Sequence, residues 1–306
     1  MEQINISLFQ AVDNSEYNSS SKDLTDLRKS DPSWNDYAIV ACVAVSVLLC
    51  FTALFGNYAI LITLWKTPSL HSVANILLAS LALSDLAVGL VVQPLYMTLL
   101  LKKNLESGFA LVFTILTTFL CLSSFFNTAA IGVDRLLALQ LHLRYEIVVT
   151  PVRVTGLAIF IWVFCALYSS IVLWLPKIFY KGLSLITFTL LLVNFATYLK
   201  IYLTVRRHQV QIASLELQRQ VHHGNMFRRL RKSAVNTFLV FIVLVVCYMP
   251  RSLVAVLLED TFSSATEANM VSITIVFLNS SLNPVLYCWR IRELRTAMKQ
   301  IFCCWI

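Results

Sequence analysis

Asp85 lies in the middle of an apolar segment, LALSDLAVGL, where its side chain needs polar partners. A charge at the centre of a membrane helix costs roughly 2.5–3.5 kcal/mol. In two other apolar segments, polar side chains are spaced so that they lie on the same face of a helix. These are Thr117, Cys121 and Ser124 in one segment, and Ser280, Asn283 and Tyr287 in the other, with Asn279 beside them. Hydroxyl and amide oxygens around a carboxylate predict a site for a small hydrated cation. A protonated Asp85 in a plain hydrogen-bond network is the alternative.

Two arginines in or beside apolar segments are further candidates. Arg135 follows Asp134 at the end of a charge-free run, so it can pair with its neighbour in one state and reach other helices in another. The alternative is an arginine that anchors the helix end at a membrane surface. Arg251 follows Pro250 inside an apolar segment, and a charge within a membrane predicts a functional site. Its alternative is a side chain that extends to the Glu259-Asp260 pair.

The histidines and cysteines indicate neither a catalytic centre nor a metal cluster. All five histidines lie outside the apolar segments, and His222-His223 has no cysteine or acid partner at ligand spacing. No two cysteines lie at the predicted outer rim, so no extracellular disulfide is expected. The sequence therefore predicts no enzyme, no cofactor and no metal other than the small cation at Asp85.

The segments that hold these residues are long enough to cross a membrane. The 306-residue chain is 58% hydrophobic and only 13% charged, against about 25% charged in soluble domains. A membrane helix needs about 20 apolar residues, and seven segments reach or approach that length. They are residues 37–65, 72–101, 107–133, 154–176, 182–199, 233–258 and 268–289, called spans one to seven below. We therefore predict an all-α membrane protein with a seven-transmembrane helix bundle, which excludes a cytosolic enzyme, a secreted disulfide scaffold and a nucleic-acid binder.

The basic residues indicate how the bundle is oriented. Sixteen of the 24 lysines and arginines lie in connections on one side, seven lie on the other side, and Arg251 lies within span six. Positive residues stay on the cytoplasmic side of a membrane. This predicts an extracellular N-terminus and a cytoplasmic C-terminus, with the basic rim against anionic membrane lipids rather than nucleic acid.

Both ends of the chain carry candidate modification sites. Residues 1–35 are predicted to be a disordered extracellular leader with glycosylation acceptors at Asn5 and Asn18. Residues 290–306 are predicted to form a short amphipathic eighth helix and a cytoplasmic tail, in which Cys303 and Cys304 are candidate palmitoylation sites. Two unmodified thiols in a mobile tail are the alternative. Residues 36–289 form the transmembrane domain between these ends.

Short motifs in all seven spans resemble those of the rhodopsin-like (class A) G-protein-coupled receptors. They are Gly56-Asn57, Leu81–Asp85, Asp134–Leu136, Trp162, Tyr198, Cys247–Pro250 and Asn283–Tyr287. The resemblance covers roughly residues 36–302. It implies a plasma-membrane receptor with a ligand cavity in the outer half of the bundle and a heterotrimeric G-protein site at the cytoplasmic face.

The same resemblance assigns roles to individual residues. It implies an allosteric sodium site formed by Asp85, Ser124, Asn279, Ser280 and Asn283. It also implies a switch for G-protein coupling, formed by Asp134, Arg135, Tyr198, Pro250, Pro284 and Tyr287. Because a proline removes a backbone hydrogen bond and kinks a helix, Pro250 is the expected hinge of span six.

The sequence departs from the usual pattern of these receptors at four positions. Leu136 and Tyr248 replace the usual tyrosine and tryptophan, and Ala110 and Leu190 replace the usual outer cysteine and the proline of span five. The last two departures resemble the branch that holds the melanocortin, lysophospholipid and cannabinoid receptors, and the motifs YLKIYLTVRR and RIREL resemble adenosine receptors of the same wider cluster. Leu136 and Tyr248 leave open a receptor-like protein that does not signal or is constitutively active.

The predicted ligand-binding residues are Thr117, Cys121, Tyr248, Arg251 and Phe277. Thr117 stands where amine receptors have an aspartate, so a biogenic amine is disfavoured. Span seven contains no lysine for a retinal Schiff base, so an opsin is excluded. The Arg251 guanidinium favours a small amphiphilic acid, while a neutral small molecule, a lipid or a peptide remain alternatives.

Overall fold

The computed structural model describes residues 34–68, 72–102, 107–141, 144–216, 242–254, 267–290 and 292–303. All regular elements in these ranges are helical. Spans one and three to seven are the helices Trp34–Lys66, Ser107–Leu141, Pro151–Ser170, Pro176–Glu216, Ile242–Val254 and Glu267–Arg290. Span two consists of Val73–Ala87, Val88–Val92 and Gln93–Leu101. Six spans are long and apolar enough to cross a membrane, and the described part of span six is shorter. The predicted all-helical, seven-span architecture is confirmed.

The chain divides into two compact units, Met1–Ala41 and Cys42–Ile306. The described part of the first unit is residues 34–41, the beginning of span one. The leader and its candidate sites Asn5 and Asn18 lie outside the described residues. The packing described below belongs to the second unit.

Inner and outer here mean the predicted cytoplasmic and extracellular sides, and the inner half of the bundle contains a continuous apolar cluster. Leucines 77, 78 and 81 of span two pack with Ile60 of span one and Ile131 of span three. The helix Arg292–Cys303 joins this cluster through Leu294 and Ala297, which are buried. The predicted amphipathic eighth helix is therefore present and lies against the inner core.

Two prolines shape the helices that meet near Asp85. A proline lacks a backbone donor, and its ring clashes with the carbonyl four residues earlier. In span two, the π-helical turn Val88–Val92 directly precedes Gln93-Pro94 and widens the helix at that point. In span seven, Pro284 lies against Gly56 of span one, where an added Cβ would come within 2.7 Å of the proline ring. Gly56 thus permits the close approach of spans one and seven.

Spans four and five are joined by a tight turn rather than a long loop. The sequence places this connection at residues 177–181, but the structure corrects it to the turn around Ile171–Leu173, and span five already begins at Pro176. Proline is favoured in the first turn of a helix, where its missing N–H has no partner to lose. The Tyr168 hydroxyl donates a hydrogen bond to the Phe179 carbonyl at 2.7 Å and ties the two outer ends together.

Candidate functional site: an outer cavity above a buried carboxylate

Asp85 is fully buried between spans two, three and seven. The Ser124 hydroxyl donates to its Oδ1 at 2.7 Å, and Asn283 Nδ2 donates to its Oδ2, also at 2.7 Å. The side chain of Ser280 also lies close to the carboxylate. Asn279 completes the group, since its Nδ2 donates to Ser124 Oγ at 3.3 Å. The structure therefore brings together all five residues that the resemblance assigns to a sodium site.

A cavity of about 340 Å³ opens above this cluster, between spans two, three, five, six and seven. Thr117, Cys121, Tyr248 and Arg251 line it, as four of the predicted ligand-binding residues. Phe277 is not among the described lining residues; it is fully buried, and its ring packs edge-to-face with that of Tyr96, which lines the cavity, at a centroid distance of 5.3 Å.

Arg251 has a partner in the cavity that the sequence did not suggest. Its Nη1 donates a hydrogen bond to Oδ1 of Asn269 at 2.7 Å, and Asn269 also lines the cavity. The signal that could have found Asn269 is its spacing, since Asn269, Ile273 and Val276 share one helix face and all three line the cavity. The alternative partners of Arg251, Glu259-Asp260, lie outside the described residues.

Tyr248 forms the floor of the cavity and connects it to the buried carboxylate. Its ring stacks on Phe125 at a centroid distance of 4.1 Å, and its hydroxyl donates to the Cys121 carbonyl at 3.2 Å. The same hydroxyl accepts a hydrogen bond from Asn279 Nδ2 at 3.4 Å. A chain of hydrogen bonds therefore runs from Tyr248 through Asn279 and Ser124 to Asp85.

At the inner end of span three, Asp134 is held by a residue outside the known motif. The hydroxyl of Tyr145 donates to Asp134 Oδ1 at 2.6 Å. Burial and the bond to this carboxylate raise the pKa of Tyr145 to about 12, so the hydroxyl remains a donor at physiological pH. Leu136 cannot supply a hydroxyl, and Tyr145 provides one from the short helix Tyr145–Val148. The spacing of residues in the sequence did not identify Tyr145, because its contact with Asp134 depends on the conformation of the connection between spans three and four.

The remaining predicted switch residues lie around the inner core. Arg135 is half-buried, whereas Tyr198 and Tyr287 are buried. A Cβ added at Gly132 would lie 3.6 Å from the Tyr198 hydroxyl, which places Tyr198 against span three. Pro250 lies in the described helix of span six and Pro284 in span seven. Cys303 is the last residue of the eighth helix, and Cys304 lies outside the described residues.

Comparison with known proteins agrees with this architecture. The family model "7 transmembrane receptor (rhodopsin family)" matches residues 56–182. The chain is 29% identical to the histamine H2 receptor of Canis lupus familiaris, over 87% of this chain and 80% of the relative. It is 27% identical to melanocortin receptor 4 of Danio rerio, over 85% and 83% of the two chains. It is 23% identical to adenosine receptor A2a of Canis lupus familiaris, over 85% and 71%.

The motifs, the fold and these relatives agree with one another. The chain is similar to rhodopsin-like (class A) G-protein-coupled receptors, as the sequence motifs predicted, and among them to histamine, melanocortin and adenosine receptors. Its relatives are receptors rather than enzymes, so the prediction that it is not an enzyme is confirmed. It is a multi-pass protein of the plasma membrane.

Proposed function

We propose that this protein binds an extracellular ligand in the outer cavity and activates heterotrimeric G proteins at its cytoplasmic face. The observation that supports this most is the hydrogen-bond chain from Tyr248 to Asp85. A ligand that displaces the Tyr248 ring acts directly on this chain. Since the chain joins spans two, three, six and seven, occupation of the cavity can shift the positions of the helices.

The proposed cytoplasmic response depends on Arg135. This arginine is half-buried at the inner end of span three, opposite the cavity, and the neighbouring Asp134 is engaged by Tyr145. We propose that Arg135, Tyr198 and Tyr287 rearrange when span six bends at Pro250, and that the opened inner face receives the G protein. The same proposal includes a basic rim on the cytoplasmic face, an extracellular N-terminus and a cytoplasmic C-terminus.

Nucleotide exchange tests this function directly. The full chain in lipid nanodiscs is combined with purified G proteins of each main class, with and without a ligand library, and exchange is measured. Arg135→Ala should abolish exchange while preserving surface expression and ligand binding. Lys66→Ala removes an exposed cation at the inner end of span one and should leave exchange unchanged.

Three outcomes of this experiment are distinguishable. Ligand-dependent exchange supports the proposed function, and exchange of equal size without any ligand identifies a constitutively active protein. No exchange with any G protein identifies a receptor-like bundle that does not signal. Wild-type exchange in Arg135→Ala would contradict the proposed role of that residue.

We also propose that the cluster around Asp85 holds an allosteric sodium ion. Asp85, Ser124, Asn279, Ser280 and Asn283 would supply the oxygens. The donor set fits, because a hard cation prefers carboxylate, hydroxyl and amide oxygens. In addition, Oδ1 of Asn279 is buried and has no hydrogen-bond partner among the described residues. The ion would supply positive charge that holds these oxygens together in the resting arrangement.

The names of the relatives indicate several ligand classes, which include an amine for the histamine receptors and a nucleoside for the adenosine receptors. We propose a ligand from the extracellular side that is a small molecule, a lipid or a peptide segment. The chemistry of the cavity wall narrows these classes further.

A further inference from the structure

Asn269 presents a hydrogen-bond donor of fixed orientation to the outer cavity. It is buried at the outer end of span seven and lines the cavity. Arg251 Nη1 donates a hydrogen bond to its Oδ1 at 2.7 Å. Because a guanidinium only donates, the amide oxygen faces Arg251, and Nδ2 with its two N–H donors is turned away from it. Oδ1 has this partner, whereas Nδ2 has none among the described residues, so the amide favours a ligand with an acceptor oxygen.

The charges of the lining disfavour an ionic ligand. No aspartate or glutamate is found among the described lining residues, so an ammonium would lose its hydration there without gaining an ion pair. Arg251 is the cation of the described lining, but it is bonded to Asn269 and has further interactions within the protein. A carboxylate would compete with these partners, and burial of an ion costs far more than burial of a neutral polar group. The lining therefore favours an uncharged ligand.

The rest of the lining indicates an apolar body for the ligand. Phe113, Leu122 and Phe125 are buried apolar side chains on the span-three wall. Ile273 lines the cavity from span seven. It lies four residues after Asn269 on the same helix face, so apolar surface continues directly from the amide. The volume of about 340 Å³ suits a small molecule.

We propose that the cavity binds a small, uncharged carbonyl compound. Its oxygen accepts a hydrogen bond from Asn269 Nδ2, and its apolar body lies against Phe113, Leu122 and Phe125. A carbonyl oxygen accepts without donating, which matches the donor end of the amide. In this arrangement Asn269 contacts the ligand, and Arg251 is a positioning residue that holds the amide. This inference rests on the proposed function, because it names the ligand class of the same receptor cavity.

The test measures binding to the purified full chain in lipid nanodiscs, without a G protein. Four probes share a phenylbutyl body. They are a methyl ketone, the isostere in which a methylidene group replaces its carbonyl oxygen, phenylpentanoate and the corresponding primary amine. Dissociation constants, referred to free probe in the aqueous phase, follow from the rise in unfolding temperature with probe concentration. The ketone should bind about tenfold more tightly than phenylpentanoate or the amine, because burial of an ion is costly.

A variant of Asn269 removes the donor and keeps the acceptor that Arg251 uses. In Asn269→Asp the ketone should bind about tenfold more weakly, because one hydrogen bond is lost and a carboxylate faces the carbonyl oxygen. The methylidene isostere has the same shape but no acceptor, so its dissociation constant should not change. Glu267→Gln is the matched control, because it changes one charge at an exposed position of the same helix turn, outside the described lining. It should alter neither constant.

Variants of Arg251 test its positioning role. Arg251→Leu removes the donor to Oδ1, so the Asn269 amide can rotate, and the ketone should bind about three- to tenfold more weakly. Arg251→Lys keeps a donor for Oδ1 and should restore most of the ketone affinity. A residue that only supports the packing would change the binding of the methylidene isostere as well. Binding of this isostere also shows that a variant is folded, and the Arg251 variants decide the question if Asn269→Asp fails to fold.

Several results would overturn the proposal. These are no binding of the ketone, ketone affinity that is unchanged in Asn269→Asp, equal losses for the ketone and its isostere, or amine binding as tight as that of the ketone. Phenylpentanoate that binds as tightly as the ketone would overturn it in favour of an acid. Ketone affinity that Arg251→Lys does not restore would contradict the positioning role of Arg251.

Because binding is measured apart from nucleotide exchange, the two proposals fail separately. A chain that prefers the ketone but activates no G protein contradicts the proposed function alone. A chain that signals but binds the amine or the acid more tightly contradicts the ligand class alone.

Discussion

Asp85 is the residue through which sodium and ligand are expected to oppose each other. The ion would hold the oxygens of Ser124 and Asn283 around the carboxylate, whereas a ligand acts on the same group through Tyr248. Sodium should therefore lower the affinity for an activating ligand. Asp85→Asn should abolish this dependence, because the amide keeps the size of the side chain but lacks the charge that binds the cation. The measurement is activating-ligand affinity in sodium chloride against an equal concentration of a large organic cation. A wild-type receptor with equal affinities in the two salts would contradict the sodium site.

Gln93 is a buried polar residue whose replacement should stabilise the protein. Its side chain is fully buried in span two, and neither Nε2 nor Oε1 has a hydrogen-bond partner among the described residues. Such a group costs about 1–3 kcal/mol, so Gln93→Met should raise the free energy of unfolding by up to that amount. Asn57→Leu is the opposite control, because Asn57 Nδ2 donates to the carbonyls of Ala53 and Ser280 at 2.8 and 3.1 Å. The unfolding temperature should rise for Gln93→Met and fall for Asn57→Leu. A lower unfolding temperature for Gln93→Met would contradict this prediction.

Single residues also show what the sequence could and could not predict of the site. Asp85, Ser124 and Asn283 were identifiable because their polarity is exceptional in apolar segments and their spacing fixes the helix face. For Asn269, the spacing on the helix face was a weak signal, because a polar residue near the outer end of a span is common. Its role depends on the position of Arg251 on another helix. An aromatic residue on the inward face, such as Phe277, can lie in the lining or behind it next to a lining residue such as Tyr96, and the sequence alone does not decide which.

At the scale of helices, spans one and seven approach each other most closely at Gly56, where an added Cβ would meet another side chain at the shortest distance among the described glycines. An added Cβ at Gly56 would lie 2.7 Å from both Cβ and Cγ of Pro284, and a proline ring cannot rotate away. Gly56→Ala should force the two spans apart and lower the free energy of unfolding by about 1–3 kcal/mol. Gly156→Ala is the matched control in span four, where an added Cβ meets no atom within 4 Å. That variant should raise stability by up to about 1 kcal/mol. Equal effects of the two substitutions on thermal unfolding would contradict the close contact.

The helices themselves were predictable, while several of their ends were not. Long charge-free runs identify membrane spans because few other structures tolerate them. The end of such a run does not end the helix, however, since charged residues are compatible with a helix that leaves the membrane. Span three therefore continues through Asp134 and Arg135 to Leu141. The turn before Pro176 was misplaced for the related reason that a proline can begin a helix as well as follow one.

For the whole molecule, the distribution of charge predicts the orientation in the membrane. The connections that carry sixteen of the 24 basic residues should face the cytoplasm, which places the leader and the mouth of the outer cavity outside the cell. An N-terminal tag should then bind antibody on intact cells, and a C-terminal tag only after permeabilisation.

Glycosylation gives an independent measurement of the same orientation. Asn5 and Asn18 lie in acceptor triplets of the leader, and only a leader in the lumen during synthesis meets the glycosylating enzyme. Enzymatic removal of N-glycans should lower the apparent mass of the wild-type protein. The double variant Asn5→Gln, Asn18→Gln should start at the lower mass and show no further shift. A C-terminal tag that binds antibody on intact cells, or a shift that persists in the double variant, would contradict the predicted arrangement.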